Sequence, residues 1–101
     1  NGVKKEESLQ VIEMIQNYLK TETRLKIPAL ITEECVHGHQ GLHSMMYPAN
    51  ISMGMTWNPD LLKEICQEVS CELASKGGNL ALFTGLDVMR DPRWGRSEGG
   101  C

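Results

Sequence analysis

Val11, Ile12, Ile15, Tyr18 and Leu19 recur at three- and four-residue intervals, and charged or amide side chains fill the positions between them. That spacing predicts an amphipathic helix from about Lys5 to Thr21. Arg24-Leu25-Lys26-Ile27-Pro28 follows, and Pro28 excludes any continued helix because it lacks an N–H and fixes φ. Ala29-Leu30-Ile31-Thr32 is a short apolar run suited to a strand buried on both faces. Asn58-Pro59-Asp60 then opens a second helix: Asn58 accepts from a first-turn N–H, Pro59 suits the first helical position, and Asp60 complements the helix dipole. Its apolar stripe is Leu61, Leu62, Ile65, Cys66, Val69 and Leu73, and Gly77-Gly78 ends it by accepting a left-handed conformation. Asn79 to Thr84 is a second candidate for a buried strand.

Between these units, Glu33 to Trp57 shows neither helical nor strand periodicity. Long irregular segments inside a domain are usually functional or disordered. The isoleucine and methionines here, Met45, Met46, Met53 and Met55, argue for an ordered loop in which methionine fills gaps. The order helix, strand, loop, helix, strand, loop implies an α/β fold with a parallel sheet. About two β/α units are present, whereas a closed (β/α)8 barrel of the TIM type takes roughly 250 residues. The expectation is that residues 1–101 are a partial barrel, a segment of a larger domain.

Composition narrows the function. Forty-one per cent of the 101 residues are apolar and 23% charged, which describes a globular chain. The formal net charge of −3 gives no basic footprint for nucleic acid and no polybasic membrane-surface segment. No apolar run approaches the ~18 residues of a membrane span. The polar stretch Asn1 to Glu7 is not a signal peptide. Cys35, Cys66, Cys71 and Cys101 form no C-x-x-C pair and read as free thiols, which leans towards a reducing, cytoplasmic compartment.

Candidate chemistry collects where it would in a parallel α/β fold, after the C-terminal ends of the strands. One such end reads Glu33-Glu34-Cys35-Val36-His37-Gly38-His39-Gln40-Gly41, the other Asp87-Val88-Met89-Arg90-Asp91-Pro92-Arg93-Trp94-Gly95-Arg96. Carboxylates and guanidinium groups bond vicinal sugar hydroxyls, and an indole packs on the apolar face of a sugar ring. Hydrogen bonds to charged groups are worth ~1.5–3 kcal/mol each, so two or three orient one ring. Adjacent residues at a strand end point to opposite sides, so one of Glu33 and Glu34 faces inward and the other is solvated. Cys35, His37, His39 and His43 also raise a zinc reading, but their spacing matches no strong zinc pattern.

Four blocks carry a resemblance. Arg24-Leu25-Lys26-Ile27-Pro28-Ala29-Leu30 is similar to the R-L-x-I-P-x-L lead-in of family 3 glycoside hydrolases. Glu34-Cys35-Val36-His37-Gly38 is similar to their [DE]-x-x-H-G strand end. The segment from Pro48 to Leu61 resembles their F-P-x-x-I-x-L-A-A-T-W-[DN]-P-E-L block, and Arg90 to Arg96 is an unbroken R-D-P-R-W-G-R. The blocks stand in family order and reach from about Leu9 to Arg96.

The resemblance implies part of a retaining β-glycosidase, of β-glucosidase or β-xylosidase type, with a barrel domain followed by a second α/β domain. It implies that the nucleophilic Asp lies further along the barrel, that the acid/base residue comes from the second domain, and that this chain holds neither. Its own sugar contacts are then Glu34 and Arg96, with His37, Arg90, Asp91, Arg93 and Trp94 in support. Arg90, Asp91 and Arg93 are expected to form ion pairs that hold the loop, with Trp94 packed beneath the loop. A β-linked glycoside is the expected partner, and no cofactor or metal is required. Many glucose-specific members carry Asp where this chain has Glu34. The extra methylene reaches the space of a hexose hydroxymethyl group, which favours a pentoside such as a β-xyloside. The ending Ser97 to Cys101 departs from the family pattern and reads as a truncation. The alternatives are a non-catalytic carbohydrate-binding remnant and a small metal-binding protein.

Overall fold

The computed structural model describes residues 2–83 and 85–97. Its elements are α1 (Lys5–Glu22), β1 (Thr32–Glu34), α2 (Asn50–Gly54), α3 (Pro59–Ser75) and β2 (Leu80–Leu82). The two strands pair in parallel, Thr32 opposite Leu80 and Glu34 opposite Leu82. The architecture is therefore α/β, with α3 as the crossover between parallel neighbours. Cys35 N–H extends the ladder by donating to Leu82 O at 2.9 Å.

α3 begins and ends as its sequence predicts. Asn58 Oδ1 accepts from Leu61 N–H at 3.1 Å, and Pro59 follows at the first helical position. At the other end Gly77 takes φ +93°, and the N–H groups of Gly77 and Gly78 return to the carbonyls of Ala74 and Leu73, both at 3.1 Å. This double closure satisfies carbonyls that the helix end leaves open. Ile12 of α1 lies so close to Gly77 that an added Cβ would meet it at 2.7 Å.

α1 matches the predicted span, with Glu6 and Glu7 in its first turn and Lys20 in its last, as the dipole favours. Its packing is thinner than its stripe suggests. Ile12 and Leu19 are half-buried, whereas Val11, Ile15 and Tyr18 stay exposed. An amide side chain makes the firmest link: Gln16 Oε1 accepts from Ala29 N–H and Gln16 Nε2 donates to Ala29 O, both at 2.9 Å.

The first strand lies further along the chain than its apolar run. Ala29 to Ile31 precede β1, and side chains partner their backbone. Asn79 Oδ1 accepts from Ile31 N–H at 2.6 Å, and Asn79 Nδ2 donates to Ala29 O at 3.3 Å. Burial on both faces is not found either. Leu30, Leu80 and Leu82 are all exposed, because α3 covers only the side on which Cys35 sits.

That side holds the core: Cys35, Val69 and Leu73 are buried against Tyr47, Ile65 and Phe83. Met53 is buried within α2, but Met45, Met46 and Met55 are exposed, so of these four methionines one fills a gap and three do not. Backbone bonds and polar side chains also hold the loop. No described helix is long and apolar enough to cross a membrane.

Candidate functional site

β1 ends on two carboxylates that diverge. Glu34 lines an open cleft of about 810 Å³, while Glu33 turns to the opposite side of the strand, with its Oε2 3.7 Å from His39 Nε2. The strand alternation makes this division.

The same cleft is lined from β1 onward by Glu34, His37 and Gln40, and beyond β2 by Phe83, Asp87, Trp94 and Arg96. It therefore sits at the C-terminal ends of both parallel strands. Phe83 serves as floor and as core residue, since it also packs against the Cys35–Val69–Leu73 cluster. Two carboxylates, one guanidinium, one imidazole and one indole thus share a concave, solvent-open surface, which suits a polyhydroxylated ligand with an apolar ring face.

The loop between β1 and α2 holds its histidines in two different ways. His37 is clasped by Tyr47: Tyr47 N–H donates to His37 O at 2.8 Å, and His37 Nδ1 lies 3.1 Å from Tyr47 O. Gly38, at φ +80°, allows this approach, because a Cβ there would meet Met45 O and the Tyr47 ring at 2.7 Å each. His39 is buried on the far side. Lys76 Nζ donates to Ser44 Oγ, and Ser44 Oγ lies 2.9 Å from His39 Nδ1, opposite the nitrogen that faces Glu33. Lys76 Nζ also donates to Leu42 O at 2.9 Å, so the end of α3 is tied to the loop. No group of three metal-ligating side chains comes together among the described residues. His37 and His39 are committed to Tyr47, and to Ser44 and Glu33, respectively.

In the segment after β2, Asp91 and Arg93 form a bidentate pair, and Asp91 Oδ1 also accepts from Arg93 N–H at 3.0 Å. Those bonds hold the Asp91 carboxyl below its ordinary pKa and raise that of Arg93. Among the described residues Arg93 is the cation paired with Asp91, and Arg90 does not join the pair. Trp94 forms part of the cleft wall and is 43% exposed. Sequence reasoning singled out none of Tyr47, Phe83, Gln40 and Asp87 as site residues, although Gln40 and Asp87 stood in the two strand-end stretches noted for their chemistry.

Fold and cleft together define an α/β protein with polar groups gathered in an open cleft at the ends of parallel strands. The profile of the glycosyl hydrolase family 3 N-terminal domain matches residues 1–100, and the chain belongs to that family. It is 31% identical over 91 residues, 90% of its length, to a periplasmic beta-glucosidase of Salmonella typhimurium. It is 30% identical over 96 residues, 88% of its length, to a beta-xylosidase of Formosa agariphila, and 30% identical over 79 residues, 72% of its length, to a probable beta-glucosidase I of Aspergillus niger. The aligned residues make up 11%, 13% and 10% of those relatives, so the chain spans about a tenth of their length.

Proposed function

We propose that this chain forms about two β/α units of a (β/α)8 barrel in a retaining β-glycosidase, and supplies sugar-binding groups rather than the nucleophile or the acid/base. The observation that carries this reading is the presence of Glu34 and Arg96 in one cleft, although 62 positions of sequence and a whole helix separate them. Glu34 accepts from ring hydroxyls and Arg96 donates to the same sugar, while Trp94 offers its face to the ring. Asp91 and Arg93 stiffen the segment that carries Arg96. Retaining hydrolysis needs two carboxyl groups ~5–5.5 Å apart across the scissile bond, and these come from elsewhere in the complete protein.

Membership of a glycosidase family supports this reading, as does the uncovered outer side of the two strands. Relatives named both beta-glucosidase and beta-xylosidase leave the sugar open at family level. The length of the Glu34 side chain favours a pentoside, because its carboxylate crowds the position of a hexose hydroxymethyl group. A reducing compartment is proposed from Cys35, Cys66 and Cys71, which are free thiols.

The test is kinetic, on the complete gene product. Aryl β-xylosides are expected to give higher kcat/KM than aryl β-glucosides, and Glu34→Asp to narrow that preference. Glu34→Gln and Arg96→Ala should each lower kcat/KM by roughly 10- to 150-fold, the value of one charged hydrogen bond. Unchanged kinetics in both variants would remove Glu34 and Arg96 from the site. Sugar binding without hydrolysis by the wild type would point to the non-catalytic binding remnant.

A further inference from the structure

We infer that His37 is a direct substrate-positioning residue, whose Nε2 accepts a hydrogen bond from a hydroxyl of the sugar held by Glu34 and Arg96. The inference rests on the glycosidase reading above and adds one acceptor to its ligand set.

The argument is one of tautomers. Tyr47 O has lone pairs and no proton, so the 3.1 Å contact to His37 Nδ1 requires the proton to sit on Nδ1. In the neutral ring Nε2 then carries a lone pair and acts only as an acceptor. His39 shows the opposite arrangement. The Glu33 carboxylate facing Nε2 favours the ring proton there, so Nδ1 accepts from Ser44 Oγ, which in turn accepts from Lys76 Nζ. Both nitrogens of His39 are consumed inside a buried network, whereas His37 uses one nitrogen to hold the loop.

The second nitrogen of His37 has no hydrogen-bond partner among the described residues, and His37 lines the cleft whereas Tyr47 does not. The Tyr47 side chain packs on the Cys35–Val69–Leu73 core, which anchors the residue whose carbonyl holds His37 Nδ1. The clasp also fixes the backbone, through Tyr47 N–H on His37 O and the close approach that Gly38 permits. A residue held once at its backbone and once at Nδ1, with one ring acceptor left over beside a ligand cleft, is pre-organised for recognition.

Two substitutions in the complete enzyme separate contact from scaffolding. His37→Asn keeps a donor near the Nδ1 position, and so the bond to Tyr47 O, but lacks Nε2. His37→Gln places an amide oxygen near Nε2 and gives up the clasp. For a β-glycoside with all its hydroxyls, His37→Asn is expected to lower kcat/KM about tenfold, mainly through KM, at unchanged melting temperature. On the monodeoxy substrate lacking the hydroxyl that His37 accepts from, wild type and His37→Asn should become equal. In addition, the ¹⁵N shift of His37 Nε2 in the wild type should report an unprotonated nitrogen and move when free xylose or glucose is added. A His37→Asn enzyme within twofold of wild type on every substrate overturns the inference and leaves the glycosidase reading intact. So does an Nε2 signal that ignores both sugars. A wild-type enzyme that cleaves no β-glycoside overturns the reading itself, and the inference with it.

Discussion

Cys35 has no exposed surface, and its burial, followed by the carboxylates of Glu33, Glu34 and Glu72, pushes its thiol pKa above the ordinary value. An acid with a raised folded-state pKa keeps its proton longer in the native state than in the unfolded one. Its contribution to stability is therefore complete below the ordinary thiol range and is lost as pH rises beyond it. Because the thiolate is the nucleophile, Cys35 should resist alkylation on two counts. Treatment with iodoacetamide near neutral pH, followed by peptide mass mapping, is expected to modify exposed Cys71 first and Cys35 only after denaturation. Early labelling of Cys35 would show that the core opens readily. Asp91 runs the other way: its lowered pKa means that its pairing with Arg93 persists above the ordinary carboxylate range and is lost as pH falls through the depressed value. Full exposure of both groups to solvent screens that contribution.

At the scale of elements, α3 is the best-defined piece because both ends are closed by local chemistry. Asn58→Ala removes the acceptor for Leu61 N–H and should cost about 1 kcal/mol. Gly77→Ala meets a left-handed backbone and the Ile12 side chain at once, so it should destabilise by more than about 1 kcal/mol. Urea midpoints of the two variants check both figures. These ends were legible in the sequence, since Asn58, Pro59 and Gly77 act within one helical turn of where they stand. β1 was not. Ala29 to Ile31 has the composition of a strand, yet its partners are Gln16, 13 positions away, and Asn79, up to 50 positions away. α2 escaped for another reason: five residues present little more than one turn, too few for a periodic pattern.

At the scale of the molecule, the Cα radius of gyration is 16.3 Å, against about 13 Å for a compact domain of 100 residues. The apolar side chains of Val11, Met14, Ile15 and Tyr18 on α1, and of Leu80 and Leu82 on β2, face outward. Expressed alone, the 101 residues are expected to bind an apolar dye such as ANS and to unfold without a sharp transition. A cooperative transition without dye binding would mean that these faces close on one another in solution. The same scale explains what could be read of the candidate site. Glu34 and Arg96 were singled out from family motifs, and their shared cleft exists only once β1 and β2 pair. The His37–Tyr47 clasp crosses ten positions of loop without periodicity, so no pattern announced it.

The Asn79 side chain has a further consequence. By bonding Ile31 N–H and Ala29 O just before the paired residues, it acts as a stop that fixes how far β2 slides along β1. In a strand, a slip of one position turns every side chain to the other face. Here it would swap two neighbouring glutamates, sending Glu34 towards His39 and delivering Glu33 to the cleft. The cleft would still hold a carboxylate, but one carried by a backbone displaced along the strand by ~3.3 Å. The Asn79 amide, together with the backbone bonds from Leu80 N–H to Ile31 O and from Cys35 N–H to Leu82 O, thus holds in place which of two chemically identical groups reaches the cleft.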